Sequence, residues 1–286
     1  MSETTIRIGG VPEHFNLPIH LANERGEFQK RGVKMEWTTF KGGTGQMTRA
    51  LRDGEVDLCI LLTEGIITDI IRGNPSKIIS LYVTTPLIWG IHTGRTNSLN
   101  QYEDIFDKQY AISRFGSGSH LMAIVDANSK GYTLKKDQFE VIKNLEGALE
   151  SLRKVESDVF YWEKYTTKPW VDTGHLRRIG EYLTPWPCFV IAATDDILKR
   201  EPEAVIRTLR TIHDSCDRFM QNDEAIPLVS ERYGQQLKDV ERWYHSTEWA
   251  IHGWVKDKLL RSVIYHLRIA EIIGQDQKIP ELVWKR

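Results

Sequence analysis

Cysteine is scarce in this chain, and neither sign of charge is in excess. Its three cysteines, Cys59, Cys188 and Cys216, stand far apart with no CxxC pair, so neither a zinc knuckle nor a disulfide framework is read. Thirty-eight basic residues against 39 acidic ones leave a formal charge of −1. That removes the strong basic field on which nonspecific nucleic-acid or anionic-membrane binding depends. Long hydrophobic runs are missing as well. The longest stretch without a charged residue, 78–94, is about 17 residues and holds Pro86, short of the ~20 apolar residues a membrane span needs. HExxH, GxSxG and spaced Cys/His sets are absent, so no metal and no cofactor is expected. No secretory leader is read either: residues 1–5 are polar and acidic, and the apolar pattern begins at Ile6. The expectation is a cytoplasmic chain as given, or a periplasmic one if a leader has been removed, with no nucleic-acid partner and no membrane insertion.

What is present is an ordinary globular composition, 41% hydrophobic over 286 residues, enough for two lobes or one large α/β unit. Strand and helix patterns alternate from the start. Strands are expected at 6–8, 33–40, 56–62 and 77–83, and helices at 17–29, 46–52 and 64–72, with Gly26 and Gly32 near the first helix end. The rhythm resumes from about Ile88, with strands at 110–113, 139–142 and 158–161 and helices at 119–130 and 145–155. Another extended segment follows at 185–194, and the rest reads as helical. This predicts mostly parallel sheets flanked by helices, in two lobes. The long helical tail counts against a barrel of eight repeats. Trp243, Trp249 and Trp254 lie in that tail and are read as packing residues on helices.

Several strand-to-helix turns hold residues suited to ligand contact. Gly116-Ser117-Gly118-Ser119-His120 would let a helix start present its N–H groups to an electron-rich group, with Ser117 and Ser119 as hydroxyl donors and Ser119 as a potential cap. Gly42-Gly43-Thr44-Gly45 occupies another such turn, without the lysine of a nucleotide loop. In open α/β sheets ligands bind beyond the carboxyl ends of the strands, which adds the 11–15 loop. Thr63-Glu64 and Trp162-Glu163 place an acid after a buried strand, where it needs a partner; the alternative is a carboxylate resting on a helix dipole. Trp162 and Trp186 offer stacking faces or core packing. His14 is read as a ligand contact, a general base or a solvated loop residue.

The opening Ile8-Gly9-Gly10-Val11-Pro12, with 21–28 and Gly32-Val33, resembles type II periplasmic solute-binding proteins. The nearer branch is the one that binds alkanesulfonates, nitrate and thiamine pyrimidine precursors. Phe40-Lys41-Gly42-Gly43-Thr44-Gly45, followed by Ala50-Leu51-Arg52-Asp53-Gly54-Glu55-Val56-Asp57-Leu58, is similar to that family's glycine turn and ALxxGExD pattern. Arg114 to Ser119 looks like its second-lobe helix turn. The resemblance implies a two-lobed type II periplasmic-binding-protein-like α/β fold with a ligand cleft between the lobes. Lobe I would be 1–88 and 189–286, and lobe II 89–188. The ligand-binding set carried over by position, together with the candidates above, is Pro12, His14, Phe15, Gly43, Thr44, Thr63, Glu64, Arg114, Ser117, Gly118, Ser119, Trp162, Glu163 and Trp186.

The implied function is noncovalent binding of a small polar solute (a nitrogen heterocycle, an amino-acid-like molecule or a sulfonate) with hinge closure. The partners would be that small molecule and, if the chain is exported, an ABC transporter permease. Two departures from the resemblance are read: no leader or lipid-attachment cysteine near the start, and no cysteine-rich motif of the family's yeast pyrimidine-synthesising relatives, so their self-sacrificing chemistry is not expected. The alternative is a cytoplasmic enzyme on the same fold, acting on a small aromatic carboxylate or pyrimidine precursor with His14 or Glu163 as general base. A cytosolic ligand sensor is a third reading.

Overall fold

The structure is a computed structural model that describes residues 3–285. The chain begins with β1 (Thr4–Gly10), α1 (Leu17–Glu24), β2 (Val33–Thr39), α2 (Thr44–Arg52), β3 (Leu58–Leu62), α3 (Thr63–Ile71) and β4 (Ser76–Val83). Its middle part holds β5 (Ile88–Gly94), β6 (Tyr110–Ile112), α4 (Gly118–Ser129), β7 (Phe139–Val141), α5 (Leu145–Lys154), β8 (Val159–Glu163), α6 (Lys168–Asp172) and β9 (Leu176–Leu183). It ends with β10 (Phe189–Thr194), α7 (Asp195–Arg200), α8 (Pro202–Met220), α9 (Ala225–Tyr233), α10 (Leu237–Ser246) and α11 (Asp257–Ile269). Two compact units result. One comprises residues 1–85, 186–262 and 276–286; the other comprises 86–185 with 263–275.

Each unit is built on one five-stranded sheet, in the orders β2-β1-β3-β10-β4 and β7-β6-β8-β5-β9. In the first, β1 runs parallel to β2 and β3, and β10 is antiparallel to both its neighbours. In the second, β6 is parallel to β7 and β8, and β5 is antiparallel to β8 and β9. The sheets are therefore mixed, each with one reversed strand in the fourth position. Strands covered by helices on both faces read as unbroken apolar runs, and β10, Phe-Val-Ile-Ala-Ala-Thr, is buried along its whole length.

Particular residues fix this arrangement. Asp57, at the approach to β3, accepts from the Arg7 backbone N–H at 2.8 Å and from its guanidinium Nε and Nη2 at 3.1 and 2.7 Å. The acid of the Gly-Glu-Val-Asp run thus clamps β3 to β1 and has a structural duty. Gly9 and Gly10 are needed for close approach: a Cβ would stand 2.5 Å from the Phe40 ring at one and 2.5 Å from the Trp37 ring at the other. On α8 the residues Val205, Leu209, Ile212, Cys216 and Phe219 form a buried stripe at helical spacing. Ser215 on the same helix donates to the Pro18 carbonyl of α1 at 2.7 Å.

The expected elements of the first unit are found within a few residues. The exception is the first helix, which stops at Glu24 because Gly26 takes the left-handed conformation (φ 65°). Two strands went unread. β5 holds glycines and a histidine, and β9 is an edge strand rich in charge, so neither alternates clearly. The tryptophan reading needs correction in part. Trp243 is buried on α10, and Trp249 is buried but outside any helix. Trp254 is also outside any helix and 78% exposed. The segment carrying these two runs along the free edge of β4, where Ala250 N–H donates to the Tyr82 carbonyl and Thr84 N–H to that of Glu248. A sheet edge has taken the backbone groups a helix would have used. All three cysteines are free and buried. No described helix is long and apolar enough to cross a membrane.

Candidate ligand-binding site

In the first unit the carboxyl ends of β1, β2 and β3 carry the loops singled out from sequence. β3 runs straight into α3, so Thr63 and Glu64 form the first turn of that helix. Thr63 is fully buried, donating its hydroxyl to the Pro187 carbonyl at 2.6 Å while its N–H donates to the Cys188 carbonyl. Those bonds bring the segment before β10 over the start of α3. Trp186 is thereby placed to donate its indole N–H to Glu64 Oε2 at 2.9 Å. Glu64 is 2% exposed, and its second oxygen, Oε1, has no partner among the described residues. Burial pushes this carboxyl up to about 7, with the Trp186 bond opposing the shift.

Beside it, α2 starts at Thr44 after Gly43, whose φ of 65° suits only glycine without strain. The Thr44 hydroxyl accepts from the Leu62 N–H at 3.3 Å. A Cβ on Gly65 would come within 2.3 Å of Thr44 Cγ2, so the two helix starts touch there. Thr44, Thr63, Glu64 and Trp186 are therefore brought together, with Gly43 at their margin. Pro12 is exposed on the loop after β1. Phe15 is built into the core: its ring lies 5.2 Å from Phe189, and its carbonyl accepts from the Tyr82 hydroxyl and the Trp249 indole. His14 is only 1% exposed, so the solvated loop reading does not hold. Its imidazole packs on Phe15 and Trp243, and burial alone lowers its pKa to about 3.

In the second unit the Ser117 side chain caps α4, accepting from His120 N–H at 3.4 Å, a role weighed for Ser119. Ser119 Oγ instead accepts from Ser113 N–H at 3.1 Å and lies 3.0 Å from Ser117 Oγ. The loop closes through Ser117 N–H to the Arg114 carbonyl and Gly116 N–H to His120 Nδ1, both at 3.1 Å. Arg114 and Gly118 are half-buried at this turn.

Trp162 and Glu163 are neighbours on β8 and so point to opposite faces. Trp162 stacks on Phe160 at 5.2 Å and packs against the core of Ala111, Ile142, Leu152 and Leu176. The Glu163 carboxylate is taken up by its own turn. Oε1 accepts from Tyr165 N–H at 3.0 Å, and Oε2 accepts from the Thr166 N–H and hydroxyl at 2.6 and 2.8 Å. Burial raises the Glu163 pKa and these bonds oppose it.

Some polar residues gave no sign in the sequence. Asp126 on α4 is fully buried and accepts from the Tyr102 and Tyr161 hydroxyls at 2.7 and 2.6 Å, tying the helix to β8. Gln235, in the turn between α9 and α10, places its Nε2 3.3 Å from His14 Nδ1. Those partners are 221 residues apart in the chain, beyond any local pattern. Among the described residues no group of three or more His, Cys, Asp or Glu is arranged to hold a metal ion.

Two mixed sheets with one common strand order, flanked by helices and divided as above, give this chain the type II periplasmic-binding-protein fold. Within that fold, residues 89–182 match the Ca3427-like PBP family. The CA3427 gene product of Candida albicans, described as defining a new family with the generic periplasmic binding protein fold, is 24% identical. That alignment covers 99% of this chain and 98% of the other, with a TM-score of 0.90. The alkanesulfonate-binding protein SsuA of Xanthomonas axonopodis pv. citri, bound to MOPS, is 15% identical over 99% of each chain, with a TM-score of 0.83. The periplasmic aliphatic sulphonate binding protein SsuA of Escherichia coli is 15% identical over 99% of this chain and 93% of its own, at a TM-score of 0.71. No curated protein matches the chain.

Proposed function

We propose that this chain is a solute-binding protein that takes a small polar molecule without covalent chemistry. Glu64 receives a nitrogen donor of the solute, and Thr44, Thr63 and Trp186 shape the pocket around it. The turn of Arg114, Ser117, Gly118 and Ser119 receives an electron-rich end through the amides that open α4. If the chain is exported, an ABC transporter permease is the partner that would accept the solute.

The observation that carries this reading is the Glu64 carboxylate, buried, held by the Trp186 indole at Oε2, and with Oε1 unpartnered among the described residues. A buried carboxylate in that condition is costly unless something else completes it, and a solute N–H does so. Glu163 lacks this property, because its own turn satisfies both oxygens. That also weakens the enzyme reading, in which Glu163 or the deeply packed His14 serves as base. In this proposal Trp162 and Glu163 support the second unit from within and do not touch the solute.

MOPS is a suitable first probe, since it joins a sulfonate to a protonatable ring nitrogen. A thermal-shift panel of MOPS, simple alkanesulfonates, pyrimidines and amino acids should give a saturable shift for solutes carrying both features. At 100 times its Kd such a solute adds about 2.7 kcal/mol. Glu64→Gln should remove most of that shift, and the compound should be recovered unchanged. An identical shift in Glu64→Gln, or no shift with any class, would defeat the reading; conversion of the compound would establish the enzyme.

A further inference from the structure

After β1 the chain makes a tight turn at His14–Asn16, and the α9–α10 hairpin packs against it. The His14 ring lies 4.1 Å from the Trp243 ring and 5.9 Å from that of Tyr233, centroid to centroid. His14, Asn16 and Trp243 are each 1% exposed. On this turn and the hairpin packed against it, four buried polar atoms have no hydrogen-bond partner among the described residues: His14 Nε2, Asn16 Oδ1, Gln235 Oε1 and Trp243 Nε1.

The partners that do exist assign the remaining roles. Asn16 Nδ2 donates to the Val11 carbonyl at 2.8 Å, which leaves its oxygen as an acceptor. Gln235 Nε2 donates to His14 Nδ1 at 3.3 Å. A neutral imidazole that accepts at Nδ1 carries its proton on Nε2. The cluster therefore holds two N–H donors, on His14 and Trp243, and two carbonyl acceptors, on Asn16 and Gln235. Each such orphan costs roughly 1–3 kcal/mol when left unmet, and native structures contain few of them. Four on one turn and its partner hairpin are donors and acceptors that a guest could complete.

We propose that the His14–Asn16 turn, Gln235 and Trp243 enclose a subsite for a neutral group that both donates and accepts hydrogen bonds, such as a carboxamide or a ureide edge. Gln235 and Trp243 then act as specificity residues for the solute. This rests on the first unit being a solute site, and it adds the chemistry of one end of the solute. A carboxylate or sulfonate would set its oxygens against the two carbonyls, and an ammonium would set its protons against the two N–H groups. Of the four residues that carry these atoms only His14 can ionise, and burial holds it neutral. The group recognised is therefore an uncharged one.

The test uses acetamide as the probe, with acetate and methylammonium as charged counterparts, on the whole chain labelled with 15N. Acetamide should shift the Trp243 indole N–H and the His14 Nε2 resonances saturably at millimolar concentration, and the charged probes should not. Gln235→Met, which keeps the length of the side chain, should weaken acetamide at least 5-fold. Trp243→Phe identifies the indole signal; should that variant fail to fold, the His14 nitrogens provide the readout alone. The proposal is overturned if acetamide has no saturable effect, leaving an internal water as the guest, or if acetate acts equally. It is also overturned if His14 carries its proton on Nδ1. Failure of the Glu64 reading appears separately, in the response of Glu64→Gln to MOPS.

Discussion

A buried acid with a raised pKa makes the fold less stable as pH increases, and Glu64 gives that statement a magnitude. Its carboxyl stands at about 7 in the folded chain against an ordinary value of 4.5. Between those values the folded state keeps a proton that the unfolded state has released. The stability contributed by the protonated form is therefore lost as pH rises through this window and levels off above about 7. The full shift is worth about 3 kcal/mol, of which about 2.5 kcal/mol falls between pH 5 and pH 8. Glu64→Gln keeps an acceptor for the Trp186 indole but cannot titrate. Relative to wild type, its stability should improve by about 2.5 kcal/mol from pH 5 to pH 8, or about 5–10 °C in melting temperature for a unit of this size. Paired urea titrations of the two proteins, without solute, isolate the term because every other titrating group cancels. A difference that stays flat between the two pH values would refute the argument, since Glu64 would then ionise as an ordinary solvated carboxyl.

Solute binding should show the reciprocal effect. If the solute nitrogen requires ionised Glu64, affinity falls about 10-fold from pH 8 to pH 6, measured by calorimetry, and Glu64→Gln flattens the curve at weak affinity. On the acid side His14 and His92 act with the opposite sign. Burial is the main cause that lowers each to about 3, so stability present above pH 6.5 is lost on acidification, about 2.7 kcal/mol per histidine by pH 4.5. In urea titrations His92→Gln should remove about half of that combined loss; an unchanged pH profile would contradict it. Asp57→Ala should cost about 2 kcal/mol of stability, less than a fully buried pair because Arg7 remains partly exposed. Solute affinity of the folded protein should not change. Gly65→Ala should drive Thr44 from its place and weaken solute binding, and Thr44→Ser in the same chain, lacking the methyl that clashes, should restore it.

The alternation of short strands and helices was legible because each first-unit strand ends in a recognisable turn: glycine at Gly43, threonine at Thr63. Burial on both sides also made β3 and β10 uniformly apolar. β9 escaped because an edge strand carries charges that interrupt any alternation. The extended run from Trp249 to Trp254 escaped because its backbone bonds go to β4, a partner far away in sequence. The same limit hid Gln235 and Asp126. Their chemistry lies in a partner supplied by the fold, His14 in one case and two tyrosines in the other.

Glu64 and Glu163 show where pattern reading stops and geometry begins. Both follow a buried strand, and in the sequence they look alike. β3 passes directly into α3, and among the described residues no N–H after Glu64 is hydrogen-bonded to its carboxylate. β8 passes into a turn before α6, and the N–H groups of Tyr165 and Thr166 fold back onto Glu163 within hydrogen-bond range. One carboxylate is thereby satisfied by its own turn, while the other keeps an oxygen, Glu64 Oε1, without a partner among the described residues. The difference lies in the length of the connection after the strand, and it is the reason the proposal sets the solute on Glu64 and not on Glu163.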